Sequence, residues 1–220
     1  MIKNFILQLD TLVPFLGLAH EEIFSKIHDE NQEWFTDQQR KSLPDTFTTY
    51  KNQVSVSAFL LGYSYFEAFI ADLAKKILLA RPALLPKDKN LTYGEIIDAQ
   101  TYDMLLEKLV EKHVFSVMYN SIEKVSEYYS KNLHINWPNY DDEYSVVKAA
   151  LIRNCYMHNG GLVDARLYEK FGLEVGSKII LSPSEVHGYG IAVRQIAYEI
   201  YDQAESKHLK TMPNKNVKVL

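Results

Sequence analysis

The sequence predicts an all-α protein: a helical bundle of four to five long helices with a small hairpin insert before the last helix. Apolar residues recur at helical spacing over several long stretches, which is typical of helices that bury one face. The 220 residues contain only nine glycines and seven prolines, too few for the many turns of a β architecture. A hydrophobic share of 47% with 24% charged residues is ordinary for a globular protein.

Charge and cysteine content restrict the function classes. The net charge of −4 provides no basic field over the whole protein, so strong non-specific binding to nucleic acid is not expected, although a local basic patch is allowed. The single cysteine, Cys155, can form no intrachain disulfide, which fits a reducing compartment. Asp10 and Pro14 interrupt the apolar N-terminus before a signal-peptide pattern is complete. We therefore expect a cytoplasmic protein without a membrane segment.

The first half of the chain predicts two helices. Residues 2–28 have one apolar face, with Pro14 kinking or dividing the helix, and the more polar residues 29–52 are expected to contain the end of that helix and a connector. Residues 54–79 are apolar almost all round, so this helix should lie at the centre of the core. Glu67 falls inside that run and has two interpretations: a solvated position on a narrow polar strip, or a partner for an inward-facing arginine.

Three further long helices are predicted in the second half. The middle one begins at Asp141, a favourable N-cap, and stops at Gly160–Gly161. The last one opens with a capping box, in which Glu185 follows Ser182 by three residues. The predicted ranges are 102–129, 141–159 and 183–207.

Two small elements are expected between the last two long helices. Residues 164–171 predict a short helix that Gly172 closes, and residues 173–181 predict a hairpin with Gly176-Ser177 as its turn. Residues 1–210 are therefore expected to form one domain, in which residues 1–52 are a helical extension and residues 54–207 the core. Residues 211–220 are expected to form a flexible tail.

The helix before Gly160 carries the residues with the clearest chemical potential: Arg153, Asn154 and His158. Asn154 and His158 are four residues apart and share nearly the same face, whereas Arg153 lies about 140° around the helix from His158. The arginine and histidine of one chain therefore converge poorly. Two copies of the helix that meet across a two-fold axis would share their faces, which predicts a homodimer with a composite cleft.

These residue types suit RNA cleavage without a metal. Attack of a 2′-hydroxyl on the neighbouring phosphorus requires a proton acceptor, a proton donor and positive charge near the phosphate. Histidine can exchange protons near neutral pH, and arginine binds phosphate oxygens with its forked guanidinium. His158 lies in the last helical turn, where the negative helix end favours the imidazolium and the donor role. The competing interpretation is that Arg153 and His158 are ordinary residues of a helix C-terminus.

Other chemistries are poorly supported by the sequence. The seven histidines are scattered and form no HExxH pattern, so neither a metal site nor a cofactor is expected. Gly188-Tyr189-Gly190 lacks the third glycine of a dinucleotide-binding fingerprint. Cys155 is a candidate nucleophile, but a lone cysteine in an amphipathic helix more often belongs to the core.

Two segments resemble a known superfamily. The stretch LIRNCYMHNG, residues 151–160, resembles the R-N-x-x-x-H signature of the HEPN superfamily. The stretch YSYFEAF, residues 63–69, is similar to the aromatic and acidic segment of HEPN proteins from prokaryotic defence and toxin loci. The resemblance covers roughly residues 54–207, in the same order of helices.

The resemblance implies a dimeric, metal-independent endoribonuclease that acts in antiphage defence or toxin–antitoxin growth arrest. Arg153 and His158 would be catalytic, and Asn154, Glu67 and Asn159 would support them or bind substrate. We call the predicted helix over residues 141–159, which contains Arg153 and His158, the motif helix. The implied partners are a second copy through the motif helix, an RNA substrate, and an antitoxin or defence-system protein. Some HEPN toxins carry a tyrosine two residues after the histidine for modification by a partner enzyme, but this chain has Gly160 there. Other members are catalytically silent dimerisation or RNA-binding modules, which is the alternative function.

Overall fold

A computed structural model describes residues 1–12, 14, 37–87, 91–138 and 144–210. The all-α prediction is confirmed: most of the described residues are helical, and no strand occurs among them. A 3₁₀ turn at Pro82–Leu84 follows the second helix, and a π-helical turn at Glu205–Leu209 follows the last one. The helices are α1 (2–12), α2 (Asp37–Ala80), α3 (Tyr93–Asp98), α4 (Tyr102–Met118), α5 (Ile122–Lys131), α6 (Val146–Asn159), α7 (Ala165–Phe171) and α8 (Pro183–Ala204).

The long helix α2 begins much earlier than its apolar pattern predicts. It is helical from Asp37, so the predicted connector over residues 29–52 is wrong from that residue onward. Lys51 and Gln53 of this helix are exposed, and lysine and glutamine are good helix formers. A polar composition is therefore compatible with a helix and does not by itself indicate a loop. The C-terminal end at Ala80, just before Pro82, is as predicted.

The N-terminal helix can be compared with its prediction only in part. Residues 2–12 are helical, which agrees with the expected first helix. The remainder of the predicted range up to residue 28 lies outside the described residues, apart from Pro14.

The predicted single helix over residues 102–129 is wrong, because α4 ends at Met118 and α5 begins at Ile122. The Asn120 side-chain amide donates hydrogen bonds to the carbonyls of Ser116 and Val117, at 2.8 and 3.1 Å. Ser121 then adopts an extended backbone as the N-cap of α5. The asparagine side chain competes in this way with the helical hydrogen-bond ladder, whereas the apolar pattern runs through the break.

The predicted start of the motif helix at Asp141 is also wrong. The helix α6 begins at Val146, and the Ser145 hydroxyl accepts the N–H of Lys148 at 3.2 Å as its N-cap. Asp141 itself lies outside the described residues. The predicted stop is confirmed, because Gly160 adopts the left-handed conformation with φ 59°.

The predicted hairpin over residues 173–181 does not form among the described residues. Its second half pairs instead with the segment just after α6, through an isolated antiparallel bridge between Leu162 and Lys178. The Val163 N–H donates to the Ser177 carbonyl and the Ile179 N–H to the Gly161 carbonyl, each at 2.9 Å. Gly160 and Gly161 end α6, and the residues that follow them are extended and pair with residues 177–179. The sequence pattern of residues 173–181 does not reveal this distant partner.

Short-range capping rules predict the remaining elements correctly. The Asp164 carboxylate accepts the N–H of Leu167 at 2.9 Å, and Gly172 closes α7 in the left-handed conformation. The Ser182 hydroxyl accepts the Glu185 N–H at 3.2 Å while Glu185 accepts the Ser182 N–H at 2.8 Å, which completes the predicted capping box of α8.

The fold divides into two compact units, and the division falls inside α2 and α8. We call the described residues of Lys3–Phe66 and Tyr140–Arg194 the motif unit, and those of Met1–Ile2, Glu67–Asn139 and Gln195–Leu220 the α4 unit. The motif unit buries Phe59, Ile152, Cys155 and Leu167. The α4 unit buries Ile70, Leu73, Val110, Tyr129 and Ile200. The expectation of one domain over residues 1–210 stays a prediction.

Part of α2 is long and apolar enough to cross a membrane, judged by length and composition alone. This part is Lys51–Ala80, with a mean hydropathy of 1.4 in its most apolar window. A helix in the core of a globular protein meets the same criteria, and Phe59, Leu73 and Ile77 of this stretch are buried in the fold.

Candidate functional site

The start of the motif helix is anchored by aromatic packing. The ring of Tyr144, just before α6, meets Tyr189 of α8 edge to face with centroids 5.3 Å apart. Tyr189 in turn packs edge to face on Phe59 of α2, also at 5.3 Å. Gly188 makes room for this arrangement, since a Cβ there would lie 2.7 Å from the Tyr144 ring. Gly188 and Tyr189 of the Gly188-Tyr189-Gly190 triplet therefore serve helix packing.

One side of α6 belongs to the core. Cys155 is almost fully buried on that side, and burial raises the pKa of its thiol. A raised pKa reduces the thiolate fraction, and the thiolate is the nucleophilic form. The buried position thus supports a packing role for Cys155 over the nucleophilic one. The buried residues of the helix are Val146, Ala149, Leu151, Ile152 and Cys155.

Arg153 is half-buried, and its contacts include Asn154 and Tyr63. Its Nη1 donates a hydrogen bond to Oδ1 of Asn154 at 2.8 Å. Its Cζ lies 5.9 Å from the centroid of the Tyr63 ring on α2, within the range of a cation–π interaction. Tyr63 is only 4% exposed, so the ring is a fixed support. The guanidinium is therefore oriented before any ligand arrives.

The structure brings Arg153 and Asn154 together but leaves His158 apart. The hydrogen bond turns the guanidinium toward Asn154, which shares its side of the helix with His158. His158 is exposed in the last turn of α6 and makes no hydrogen bond or ion pair with any residue that the structure describes. Its imidazole is thus available to a ligand or to another chain.

The end of α6 is locked by the glycine pair and Tyr156. The N–H groups of Gly160 and Gly161 both reach the Cys155 carbonyl, the second at 3.0 Å. Gly161 has φ +79°, and a Cβ there would lie 2.6 Å from the Tyr156 ring. The Tyr156 hydroxyl donates to the Ile179 carbonyl at 2.7 Å, and burial raises its pKa to about 12. These contacts fix the turn that follows His158.

Asn159 has a structural role in addition to its predicted one. Its side-chain amide donates to the Leu162 carbonyl at 3.0 Å, and its own carbonyl accepts the Leu162 N–H at 3.1 Å. The residue thus ties the end of α6 to the extended segment that follows. A contact between Asn159 and substrate stays a prediction.

Glu67 lies in the middle of α2 and is half-buried. It belongs to the α4 unit, whereas Arg153 belongs to the motif unit. The predicted pairing of the two residues stays a prediction. No group of three or more His, Cys, Asp and Glu side chains suited to a metal ion occurs in the described ranges.

Tyr63 is the site residue that sequence reasoning missed. Its place among the apolar residues of α2 predicts a core residue, which it is, but not its contact with Arg153. The two residues lie far apart in the chain, so no spacing rule connects them. The only available signal is that Tyr63 opens the aromatic segment similar to that of HEPN proteins.

No family model, curated protein or solved structure shows a significant match to this chain. The similarity to HEPN proteins therefore continues to rest on the motif residues themselves and stays a prediction.

Proposed function

We propose that this protein is a metal-independent endoribonuclease of the HEPN type, which cleaves RNA through attack of a 2′-hydroxyl on the adjacent phosphorus. The supporting observation is the arrangement at the end of α6, where Arg153 is held by Tyr63 and Asn154 and the exposed His158 follows one turn later. A charge that is oriented in advance stabilises a developing phosphorane without reorganisation during the reaction.

Each residue has a distinct role in this proposal. Arg153 binds the non-bridging phosphate oxygens with its forked guanidinium. Asn154 and Tyr63 are positioning residues that set the direction of the guanidinium. His158 transfers a proton to the 5′-oxygen as the P–O bond breaks, or accepts the proton of the attacking hydroxyl. Asn159 and Glu67 are the supporting positions that the HEPN resemblance implies.

A second copy of the chain completes the site. His158 makes no hydrogen bond or ion pair among the described residues, so pairing of two α6 helices across a two-fold axis would bring it to the partner's Arg153. Met157, which is 59% exposed beside His158, provides apolar surface for that contact. The biological setting that follows is antiphage defence or toxin–antitoxin growth arrest in the cytoplasm, with an antitoxin or defence protein as regulator.

The proposal is tested by incubating the purified protein with RNA of mixed sequence in EDTA. The expected products carry a 2′,3′-cyclic phosphate, and His158→Ala should lower the rate at least about 100-fold, as is typical for loss of a general acid or base. His187→Ala, which removes an exposed histidine from α8, is the matched control and should cleave normally. Unchanged cleavage by a folded His158→Ala variant contradicts the proposal.

A non-catalytic dimerisation or RNA-binding scaffold is the second candidate function. The observation that favours it is the large exposed aromatic surface on α4, where Phe115 is 73% exposed, together with the net charge of −4. In that case Arg153→Ala and His158→Ala would change stability or partner binding. Neither variant would then differ from the wild type in the RNA assay, because the wild type itself would not cleave.

A further inference from the structure

The outer side of α4 is unusually apolar. This helix buries Val110 and Val114 on its inner side, so an amphipathic helix would have polar residues opposite them. The opposite side instead carries Phe115 and Tyr119, which are 73% and 85% exposed. Their rings stack on each other with centroids 6.3 Å apart. Two stacked aromatic rings on a solvent-facing side indicate a surface that another molecule covers.

The neighbouring helix α3 also exposes apolar residues. None of its residues is buried, and Tyr93 and Ile97 are among the most exposed apolar residues of the chain. A 2.7 Å ion pair between Glu95 of α3 and Lys112 of α4 joins the two helices. Phe115 and Tyr119 together expose on the order of 300 Å². A standard interface takes about 800 Å² from each partner, so these two rings would form its centre and the surrounding side chains the remainder.

The pattern along α4 is self-complementary. Six residues share the outer side because they follow one another at helical spacing: Met104, Lys108, Glu111, Lys112, Phe115 and Tyr119. We call these six residues the α4 face. If two copies meet antiparallel with the two-fold axis between Glu111 and Lys112, Lys112 lies opposite the partner's Glu111. Lys108 then lies opposite the partner's Phe115, and Met104 opposite the partner's Tyr119.

We propose that the α4 face binds the α4 face of a second copy, with the two α4 helices antiparallel across a two-fold axis. In this register Lys112 and the partner's Glu111, which also form ion pairs with Glu95 and Lys75 of their own chains, meet as opposite charges. A lysine approaches an aromatic ring, and a thioether packs on a ring. The interface is separate from the α6 contact and does not rest on RNA cleavage.

The charges on α3 and α4 favour a second copy over an anionic surface. The two helices together contain five Asp or Glu residues and two Lys residues. Membrane-surface helices and nucleic-acid interfaces are instead rich in Lys and Arg, which pair with phosphate groups. The α4 face contains both Lys and Glu residues, so two copies of it can place opposite charges against each other.

The experiment measures the self-association of the full chain by sedimentation equilibrium over a range of concentrations. Phe115→Lys places like charges opposite each other, because position 115 faces the partner's Lys108, and should weaken association at least about ten-fold. Combining it with Lys108→Glu restores an opposite pair and should recover association. Tyr168→Lys is the matched control, since Tyr168 is an exposed tyrosine on α7.

A cross-link tests the register independently. Glu111→Cys lies next to the proposed two-fold axis, and the one native thiol, Cys155, is buried and does not compete. A short bismaleimide should join two Glu111→Cys chains and should leave Tyr168→Cys chains unlinked. A protein that is monomeric at all concentrations overturns the proposal, as does a wild-type association that Phe115→Lys leaves unchanged. The latter result is expected if the chain associates through α6 alone.

Discussion

Aromatic residues are used in opposite ways around α6 and along α4. In the motif unit the rings of Phe59, Tyr63 and Tyr189 are buried and contact one another or Arg153. On α4 the rings of Phe115 and Tyr119 stack on each other in solvent. The first arrangement orients the Arg153 side chain, and the second leaves apolar side chains in solvent. The aromatic residues of the two regions therefore differ in what they contact.

The largest expected effect is the loss of stability when a buried aromatic residue, rather than an exposed one, is replaced by alanine. Phe59→Ala should lower the free energy of unfolding by about 3–5 kcal/mol, because it leaves a cavity in the motif unit. Phe115→Ala should change it by no more than about 0.5 kcal/mol, because the side chain contacts mainly solvent in the single chain. Urea unfolding at a concentration where the protein is monomeric measures both values. A loss of several kcal/mol for Phe115→Ala would show that its ring is part of a core.

Alanine substitutions at two glycines of α8 should change the stability by smaller amounts and in opposite directions. Gly188→Ala should destabilise the fold by about 1–3 kcal/mol, because its Cβ would overlap the Tyr144 ring. Gly190→Ala should stabilise it by about 0.5–1 kcal/mol, because nothing lies within 4 Å of its Cβ and alanine favours a helix. Thermal unfolding of the two variants compares them directly. Equal effects would mean that Tyr144 does not pack on α8.

The smallest expected effect is the pH dependence of the Glu95–Lys112 ion pair between α3 and α4. The hydrogen bond from Lys112, and then the N–H and hydroxyl of Thr92, lower the pKa of the Glu95 carboxyl to about 2. Since the folded-state pKa lies below the ordinary value of 4.5, the stabilisation is fully present above pH 4.5 and disappears as the pH falls toward 2. An NMR titration of the Glu95 carboxyl should show this low midpoint, and Lys112→Ala should raise it. A wild-type midpoint at the ordinary value would mean that the ion pair does not form.

Elements with local stop and start signals were predictable from the sequence. Asp164, Gly172 and the Ser182–Glu185 box make hydrogen bonds within four residues, so their residue types determine the local structure. Gly160 is predictable for the same reason, because a left-handed position favours glycine. Apolar periodicity alone was less reliable. It runs through the break at Asn120 and Ser121 and misses the polar N-terminal part of α2.

Contacts between distant segments were not predictable. The support of Arg153 by Tyr63 and the pairing of Leu162 with Lys178 depend on how separate elements meet. The site itself was predictable as a set of residue types, since Arg153, Asn154 and His158 stand together on one helix. Which of them would be in contact was not, because a side chain as long as arginine has many orientations of similar energy until its neighbours are known.

The most direct test of the composite site mixes two inactive variants. Arg153→Ala and His158→Ala should each fail to cleave RNA in EDTA. If each site takes its arginine from one chain and its histidine from the partner, a mixed dimer contains one complete site and one empty site. Subunit exchange between equal amounts should therefore restore about a quarter of wild-type activity. A mixture that stays inactive although mixed dimers form would contradict the shared site.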